Sequence, residues 1–276
     1  MSNKPVIVDC STDMADVQSM QDKRGIEIDT VGVRRLFYPL VWHDGSGTSQ
    51  SCRGEFSLSV SLPAQQRGTH MSRFLEHLHT AHRHISLQSW VDFAPKLANA
   101  LQAQSVSAQV RFSLFRPVFA PITQQQGMQE IHIELKSAIK NGIQQALFLS
   151  ITLPAATVCP CSKQISDRGA HNQRGEIQVS GYLSKVHLDP ICLFDLVQEF
   201  EKCASVPVYP LLKRQDEKYV TEAGYDNAKF VEDVARDVVL ATRTMNLFER
   251  FTVTVENQES IHAHNAFAKI KEGKCE

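Results

Sequence analysis

Alternation of apolar and polar residues predicts the strands in the first half of the chain. Over residues 55–62 every second residue is apolar, and serines fill most of the positions between them. A strand with this pattern buries one face and leaves the other polar. The alternation recurs over 106–114 and 131–135, and an apolar, aromatic stretch over 30–43 ends at the turn signal of 44–47. These four segments are predicted strands.

Helical spacing of apolar residues fills the interval between the second and third of these strands. The segments 71–84 and 87–103 show it, so the first half has the order β-β-α-α-β-β. The second half offers the same order, with no residue-level repeat to accompany it. Its predicted strands lie at 146–153, 176–183, 251–255 and 261–268, and its predicted helices lie at 190–203 and 227–245.

The repeated order predicts two similar modules, residues 26–143 and 144–276, after a polar and mobile tail at 1–25. Parallel sheets would need a helix between most successive strands, so the pattern indicates the α+β class, with antiparallel sheets and helices on one face. Exposed sheet edges would favour association of chains.

Composition places the chain among globular proteins and excludes several partners. Of its 276 residues 42% are hydrophobic and 21% charged, and the formal charge is -1. No global field attracts nucleic acid or anionic lipid. Seven unevenly spaced cysteines favour a reducing compartment, and neither a secretory signal nor an apolar run of about 18 residues is present. We therefore expect a cytoplasmic protein with no nucleic-acid or membrane partner.

Residues 157–175 carry the most reactive groups of the sequence. Two thiols, Cys159 and Cys161, precede His171, and thiolate with imidazole can bind zinc, iron or manganese-like ions. A thiolate is also a good nucleophile. Alternatively, both cysteines are small buried hydrophobic residues. The C-x-C spacing without a second pair argues against a structural zinc knuckle.

Two further clusters carry candidate groups. In the predicted strand 261–268, His262 and His264 share a face and could reach one ion or substrate, or they are solvated on an edge strand. Glu217 stands in a charged segment, predicted to be a loop, where solvation is the default. Glu232 lies at the boundary of its helix's apolar face and could emerge at a pocket, or it pairs with Arg236 at i+4.

Histidines at 77, 79, 82 and 84 spread over several faces of their predicted helix, which favours surface or interface roles over a metal site.

Six segments together resemble the type IB GTP cyclohydrolases, and the similarity runs from about Val31 to Ala268. The segments are RGTHMSRF at 67–74, VCPCSK at 158–163, ISDRGAHNQRG at 165–175, YPLLKRQDEKYVTE at 209–222, YDNAKFVEDVARD at 225–237 and ESIHAHNAFA at 259–268. The resemblance implies two tunnelling-fold modules per chain, joined into an oligomeric barrel as a homotetramer with active sites at subunit interfaces.

The resemblance also implies the reaction, in which GTP and water give 7,8-dihydroneopterin triphosphate and formate, the first step of folate biosynthesis. It places Cys159 at the catalytic thiol and, with His171 and Glu217, around a divalent metal ion. This donor set mixes thiolate, imidazole and carboxylate, so we expect a permissive choice among Zn, Mn and Fe.

The same resemblance implies that Glu232 binds the guanine edge and that His262 and His264 are the catalytic histidine pair. The choice of residues that bind the triphosphate rests on charge alone, and we expect the nearby cations Lys163 and Arg174 to bind it. Two alternatives stay open. One is another tunnelling-fold pterin or deazapurine enzyme, such as a GTP cyclohydrolase that yields a cyclic phosphate product or a nitrile reductase that uses its cysteine as a covalent nucleophile. The reductase would need NADPH, and we find no glycine-rich dinucleotide motif. The other is a purine-binding oligomer without turnover.

Overall fold

The computed structural model describes residues 16–45, 47–184, 188 and 191–273. In these ranges nine strands form a single antiparallel sheet, and every predicted strand has a counterpart. The strands are β1 (Ile28–His43), β2 (Ser49–Leu62), β3 (Val106–Phe119), β4 (Gln126–Lys140), β5 (Ile143–Gln144), β6 (Phe148–Val158), β7 (Asn172–Leu183), β8 (Phe248–Gln258) and β9 (Asn265–Glu272).

Seven helices occur in the same ranges, of which two were not predicted from the sequence. They are α1 (Met71–Ala81), α2 (Leu87–Val91), α3 (Phe93–Leu101), α4 (Pro160–Ile165), α5 (Leu193–Glu201), α6 (Arg214–Asp226) and α7 (Val231–Met245). The unpredicted helices are α4 and α6, so Glu217 lies on a helix and the loop expected there is wrong.

The single predicted helix over 87–103 is two helices, because Pro95 lacks the N–H that would bond the Val91 carbonyl. The predicted helix over 190–203 begins at Leu193, and Pro190 falls outside the described residues.

The two halves of the chain contribute neighbouring parts of one sheet. Its strand order is β1-β2-β3-β4-β6-β7-β8-β9, with β5 paired only to β4, so β1 and β9 form the edges. The halves join where His132–Lys136 of β4 pairs with Phe148–Thr152 of β6. The predicted α+β class is therefore confirmed.

A continuous apolar core covers one face of this sheet. Strand residues Phe56, Leu58 and Ile151 pack there with helix residues Trp90 and Phe200, and all five are almost fully buried. Burial of this surface is the main source of stability. The helices therefore lie on the core side, as the alternation predicted.

The strand ends of the two halves separate beyond Thr152, and residues 201–212 fill the gap. Val206 forms a bridge with Ala156 of β6, while Gln129 of β4 donates a hydrogen bond to the Val208 carbonyl at 2.9 Å. This segment leads directly into α6.

A buried ion pair spans the same gap. Arg116 Nη2 of β3 lies 2.6 Å from Glu201 Oε2 of α5, within ion-pair distance but without the alignment of a hydrogen bond. Both side chains are almost fully buried. Removing one partner of such a pair typically costs about 3–5 kcal/mol.

Asp216 ties α6 to the first half of the chain. Its fully buried carboxylate accepts bonds from the backbone N–H groups of Ile122 and Thr123, each at 2.9 Å, and from the Thr123 hydroxyl at 2.6 Å. A fourth bond, from Lys213 N at 2.9 Å, caps the helix. Burial by itself raises the pKa of this carboxyl, but the hydrogen bonds led by Thr123 outweigh it and hold the pKa well below its usual value.

We expect Asp216→Asn to lower the melting temperature by several degrees at pH 7, because the amide loses charge-assisted acceptance of these bonds. A carboxyl whose pKa is lower in the folded chain stabilises the fold above its unfolded pKa of about 3.9. That stabilisation is lost as the pH falls through the folded pKa. The difference between parent and variant should therefore narrow below about pH 4.

Thermal unfolding by circular dichroism from pH 3 to pH 8 measures this difference. Asp195→Asn is the matched control, since Asp195 is exposed in the first turn of α5. Equal melting temperatures for Asp216→Asn and the parent at pH 7 would show that the contact contributes nothing.

The described part of the expected N-terminal tail, residues 16–25, lies against the segment before α1. Asp22 N donates to the Gln65 carbonyl at 2.8 Å, and Arg67 N donates to the Met20 carbonyl at 3.0 Å. Residues 1–15 fall outside the described ranges. No helix among the described residues is long and apolar enough to cross a membrane.

Candidate active site

Cys159 and His171 meet at the end of one strand pair. Val158, the last residue of β6, is paired with Asn172, the first residue of β7, so the residues beyond them are neighbours. The Cys159 N–H donates to the His171 carbonyl at 3.1 Å. Pro160 then begins α4, at the helix position where its missing N–H costs nothing.

Ser162 fixes the two residues relative to each other. Its hydroxyl accepts from His171 N at 3.2 Å and donates to the Cys159 carbonyl at 3.1 Å. Its own N–H approaches Cys159 Sγ at 3.5 Å, which orients the half-buried thiol. Cys161 is exposed on α4, so it is not the buried hydrophobic residue of the alternative interpretation.

His171 has one ring nitrogen engaged. Its Nδ1 lies 3.3 Å from the Ser260 hydroxyl, in the loop between β8 and β9. This contact leaves Nε2 available for a ligand, as in metal sites where a second contact orients the imidazole.

His262 and His264 lie in this β8–β9 loop, residues 259–264, and not in a strand, so that prediction is wrong. The β8–β9 pairing ends at Gln258 opposite Asn265, and β9 begins only there. The two imidazoles nevertheless stack, with ring centroids 5.1 Å apart. Both side chains are exposed. Their loop follows β8, which pairs with β7, and His171 directly precedes β7.

Glu232 is exposed in the first turn of α7. The expected alternative partner, Arg236, instead bonds Asp233 at 3.1 Å, and Asp233 accepts from Phe230 N at the helix start. Glu217 is also exposed, one residue after the buried Asp216. Both carboxylates are directed toward solvent in a single chain.

The two cations expected at the triphosphate differ in their surroundings. Lys163 Nζ donates to the Tyr225 carbonyl at 2.5 Å and lies 4.4 Å from the centroid of that ring, which ties α4 to the end of α6. Arg174 is exposed on β7 and lines a cavity of about 430 Å³ between β6, β7 and α6. Of the two cations, Arg174 is therefore the more available to bind a ligand.

The expected metal ligands are only partly gathered in one chain. Within the described ranges, no three His, Cys, Asp or Glu side chains form a group that could hold an ion, so Glu217 does not join Cys159 and His171 there. The donor chemistry itself fits, because Cys159 and His171, which carry a thiol and an imidazole, are joined by a backbone hydrogen bond at one strand end.

The histidine-rich segment before α2 forms ring contacts. His79 stacks on His82 and His43 on His84, each with centroids 5.1 Å apart, and Tyr38 Oη lies 2.6 Å from His79 Nδ1. The surface role expected for these residues holds for His79 and His84, which are exposed, whereas His82 is buried.

Four polar residues near the site were not singled out from the sequence. Ser162 and Ser260 contact the Cys159–His171 pair, while Gln173 and Thr157 lie buried beneath it. Position alone could have indicated Gln173, since alternation from Ile177 places it on the buried face of β7.

Two solved structures share the fold of this chain. The uricase from Arthrobacter globiformis aligns with a TM-score of 0.52 at 6% identity, covering 89% of this chain and 93% of that one. A hyperthermostable mutant of Bacillus sp. TB-90 urate oxidase aligns with a TM-score of 0.53 at 8% identity, covering 90% and 99%. The chain is a tandem tunnelling-fold protein with a thiol–imidazole pair at one strand end.

Sequence comparison identifies the family. The protein-family model described as type I GTP cyclohydrolase folE2 matches residues 14–268. GTP cyclohydrolase FolE2 of Syntrophobacter fumaroxidans is 38% identical over 95% of this chain and 100% of the relative. That of Thiobacillus denitrificans is 39% identical over 97% and 98%. The chain belongs to the type I GTP cyclohydrolase FolE2 family.

Proposed function

We propose that this chain is a GTP cyclohydrolase that converts GTP and water into 7,8-dihydroneopterin triphosphate and formate, the first step of folate biosynthesis. The observation that carries the proposal is the Cys159–His171 pair, held by Ser162 at a strand end within the family's motif. Relatives that match this chain over nearly its whole length are named for this activity.

A divalent ion, Zn, Mn or Fe, would be held by Cys159, His171 and Glu217. When bound, it supplies the Lewis acidity that lets water attack carbon 8 near neutral pH. Ser162 contacts the thiol of Cys159, and Ser260 contacts the imidazole of His171, so each serine restrains one proposed ligand. Because Glu217 does not group with this pair among the described residues of one chain, we propose that ligands converge from two subunits.

The chain's own residues perform binding and proton transfer. The Glu232 carboxylate would accept the two N–H groups of the guanine edge, which adenine does not present. His262 and His264 would donate and accept protons at the ring nitrogens of guanine as its five-membered ring opens. A histidine side chain suits this role because its imidazole exchanges protons near neutral pH. Both groups are exposed in one chain and available to a site between chains.

We propose a homotetramer with active sites at subunit interfaces, supported by the exposed catalytic groups and by the two sheet edges. Among the described residues, the β1 edge is covered at 41–43 by residues 82–85. The free cysteines favour a cytoplasmic location, and no nucleic acid or membrane partner is expected. Sedimentation of the purified protein should give four chains. A monomer with full turnover would contradict the shared site.

We expect Arg174→Gln to raise KM for GTP by about tenfold with a smaller change in kcat, because a triphosphate needs cationic donors. Lys163→Gln should raise KM similarly if the N–H groups of Lys163 that do not bond the Tyr225 carbonyl reach a phosphate. Steady-state kinetics at two salt concentrations measure this. Arg168→Gln, an exposed arginine in the loop after α4, is the control. An unchanged KM in Arg174→Gln would remove Arg174 from the phosphate site.

The proposed activity is tested by stripping the protein of metal and adding Zn, Mn or Fe separately with GTP. We expect metal-dependent formate together with a product that oxidises to fluorescent neopterin triphosphate. A cyclic phosphate product, or NADPH consumption with a nitrile substrate, would identify a different tunnelling-fold enzyme. Binding of GTP without formate under every metal would leave a purine-binding oligomer.

A further inference from the structure

A chain of buried polar side chains lies directly beneath the Cys159–His171 pair. It consists of Thr157 on β6, Gln173 on β7 and Asn257 on β8, which are 0%, 8% and 2% exposed. Thr157 and Gln173 are paired across their strands, each two residues from one of the site residues. We call these three side chains the buried relay.

The relay has a single direction of hydrogen bonding. Asn257 Nδ2 donates to Thr157 Oγ1 at 3.0 Å, and the Thr157 hydroxyl donates to Gln173 Oε1 at 2.9 Å. Gln173 Nε2 then donates to Glu259 Oε2 at 2.6 Å. Because each donor orients the next, the relay ends on a fixed carboxylate at the first residue of the β8–β9 loop.

The strands are shaped to admit this relay. Gly175 of β7 is paired with Asn257, and a Cβ at Gly175 would lie 2.4 Å from Asn257 Oδ1. A side chain at position 175 would therefore displace the Asn257 amide. Removing one side chain would leave a buried polar neighbour without its partner, which is costly, so the three side chains act together. Asn257 Oδ1 itself has no hydrogen-bond partner among the described residues, so this amide is held through Nδ2.

The relay reaches the loop that carries the histidine pair. Glu259 is bonded to Gln173, and the next residue, Ser260, contacts His171 Nδ1. These two adjacent contacts attach the loop to the ends of the strands on the side of Cys159. His262 and His264 follow within four residues and are themselves exposed.

We propose that Thr157, Gln173 and Asn257 are positioning residues that act through Glu259 and hold the β8–β9 loop, which carries His262 and His264, against the strand end of Cys159 and His171. None of the three is proposed to contact substrate. The kinetic part of this inference rests on the proposed function, whereas the effect on the loop does not.

The test compares Thr157→Val with Thr157→Ser in the full-length protein. Valine preserves shape and removes the hydroxyl, while serine retains it. Hydrogen exchange by mass spectrometry reports on the peptide that contains 259–264. We expect exchange in this peptide to accelerate about tenfold in Thr157→Val and to stay near the parent rate in Thr157→Ser.

The kinetics of the same variants separate positioning from general stability. At a temperature well below every melting point, kcat in Thr157→Val should fall about tenfold with KM for GTP nearly unchanged, and Thr157→Ser should restore it. Gln173→Met, which removes both contacts at similar volume, should reproduce the effect. It carries the test if Thr157→Val fails to fold.

Unchanged exchange at 259–264 in a folded variant would overturn the inference, whatever the activity. If the parent protein itself has no cyclohydrolase activity, accelerated exchange in the variant would still support the effect on the loop, and only the proposed function would be contradicted. Accelerated exchange with parental kcat would overturn the claim that the relay serves catalysis.

Discussion

Replacing Cys159 with alanine is expected to lower kcat for formate release by about 10³-fold or more, because the thiol is proposed both as the reactive group and as a metal ligand. The backbone contacts of Cys159 do not depend on its side chain, so the strand end should persist. Assay of formate at saturating GTP measures the loss, and circular dichroism checks the fold.

Cys161→Ala is the matched control for this variant. Cys161 is exposed on α4, two residues away from Cys159, and it should retain activity within about threefold. Equal losses in the two variants would indicate that both thiols bind the ion. Full activity in Cys159→Ala would exclude the proposed centre.

Replacing Glu232 with glutamine is expected to reduce kcat/KM for GTP by about 10²–10³-fold. The amide presents a donor where the guanine edge also presents donors, and the charge-assisted bonds are lost. The preference for GTP over inosine triphosphate, which lacks the 2-amino group, should shrink in the same variant. Competition between the two nucleotides measures this preference directly.

Glu222→Gln controls for the loss of one surface carboxylate, since Glu222 is an exposed residue of α6 paired with Lys218. It should leave both parameters nearly unchanged. A Glu232→Gln variant that discriminates between the nucleotides as the parent does would show that the guanine edge is held elsewhere.

The strands and the helices with an apolar stripe were predictable because each buries one face against the core. The unbroken alternation of 55–62 gave the core side of β2 correctly. In contrast, α6 has only Asp216 and Gly224 buried, so its sequence shows no stripe. Its position depends on the distant turn at Ile122 and Thr123, which local periodicity does not encode.

The site was predictable to the extent that its residues are close in sequence. Cys159 and His171 flank paired strand ends, and their motif carried the assignment. The stacking of His262 on His264 occurs in a loop, where the alternation used to pair them does not apply. Likewise, the contact of Lys163 with Tyr225 joins residues far apart in sequence, and no local pattern indicated it.

The buried relay shows why polar core positions escape prediction from sequence. Alternation can place Thr157 and Gln173 on the buried faces of their strands, but it does not show their partners, which are on neighbouring strands. Only the register of β6, β7 and β8 brings them together.

The central claim is that carbon 8 of GTP leaves as formate at the Cys159 centre. The direct measurement is carbon NMR of GTP labelled with ¹³C at carbon 8, incubated with the metal-loaded protein and, separately, with Cys159→Ala. We expect one labelled formate for each 7,8-dihydroneopterin triphosphate, and none from the variant. Label that stays in the nucleotide while GTP is bound, or that appears equally with the variant, would contradict the claim.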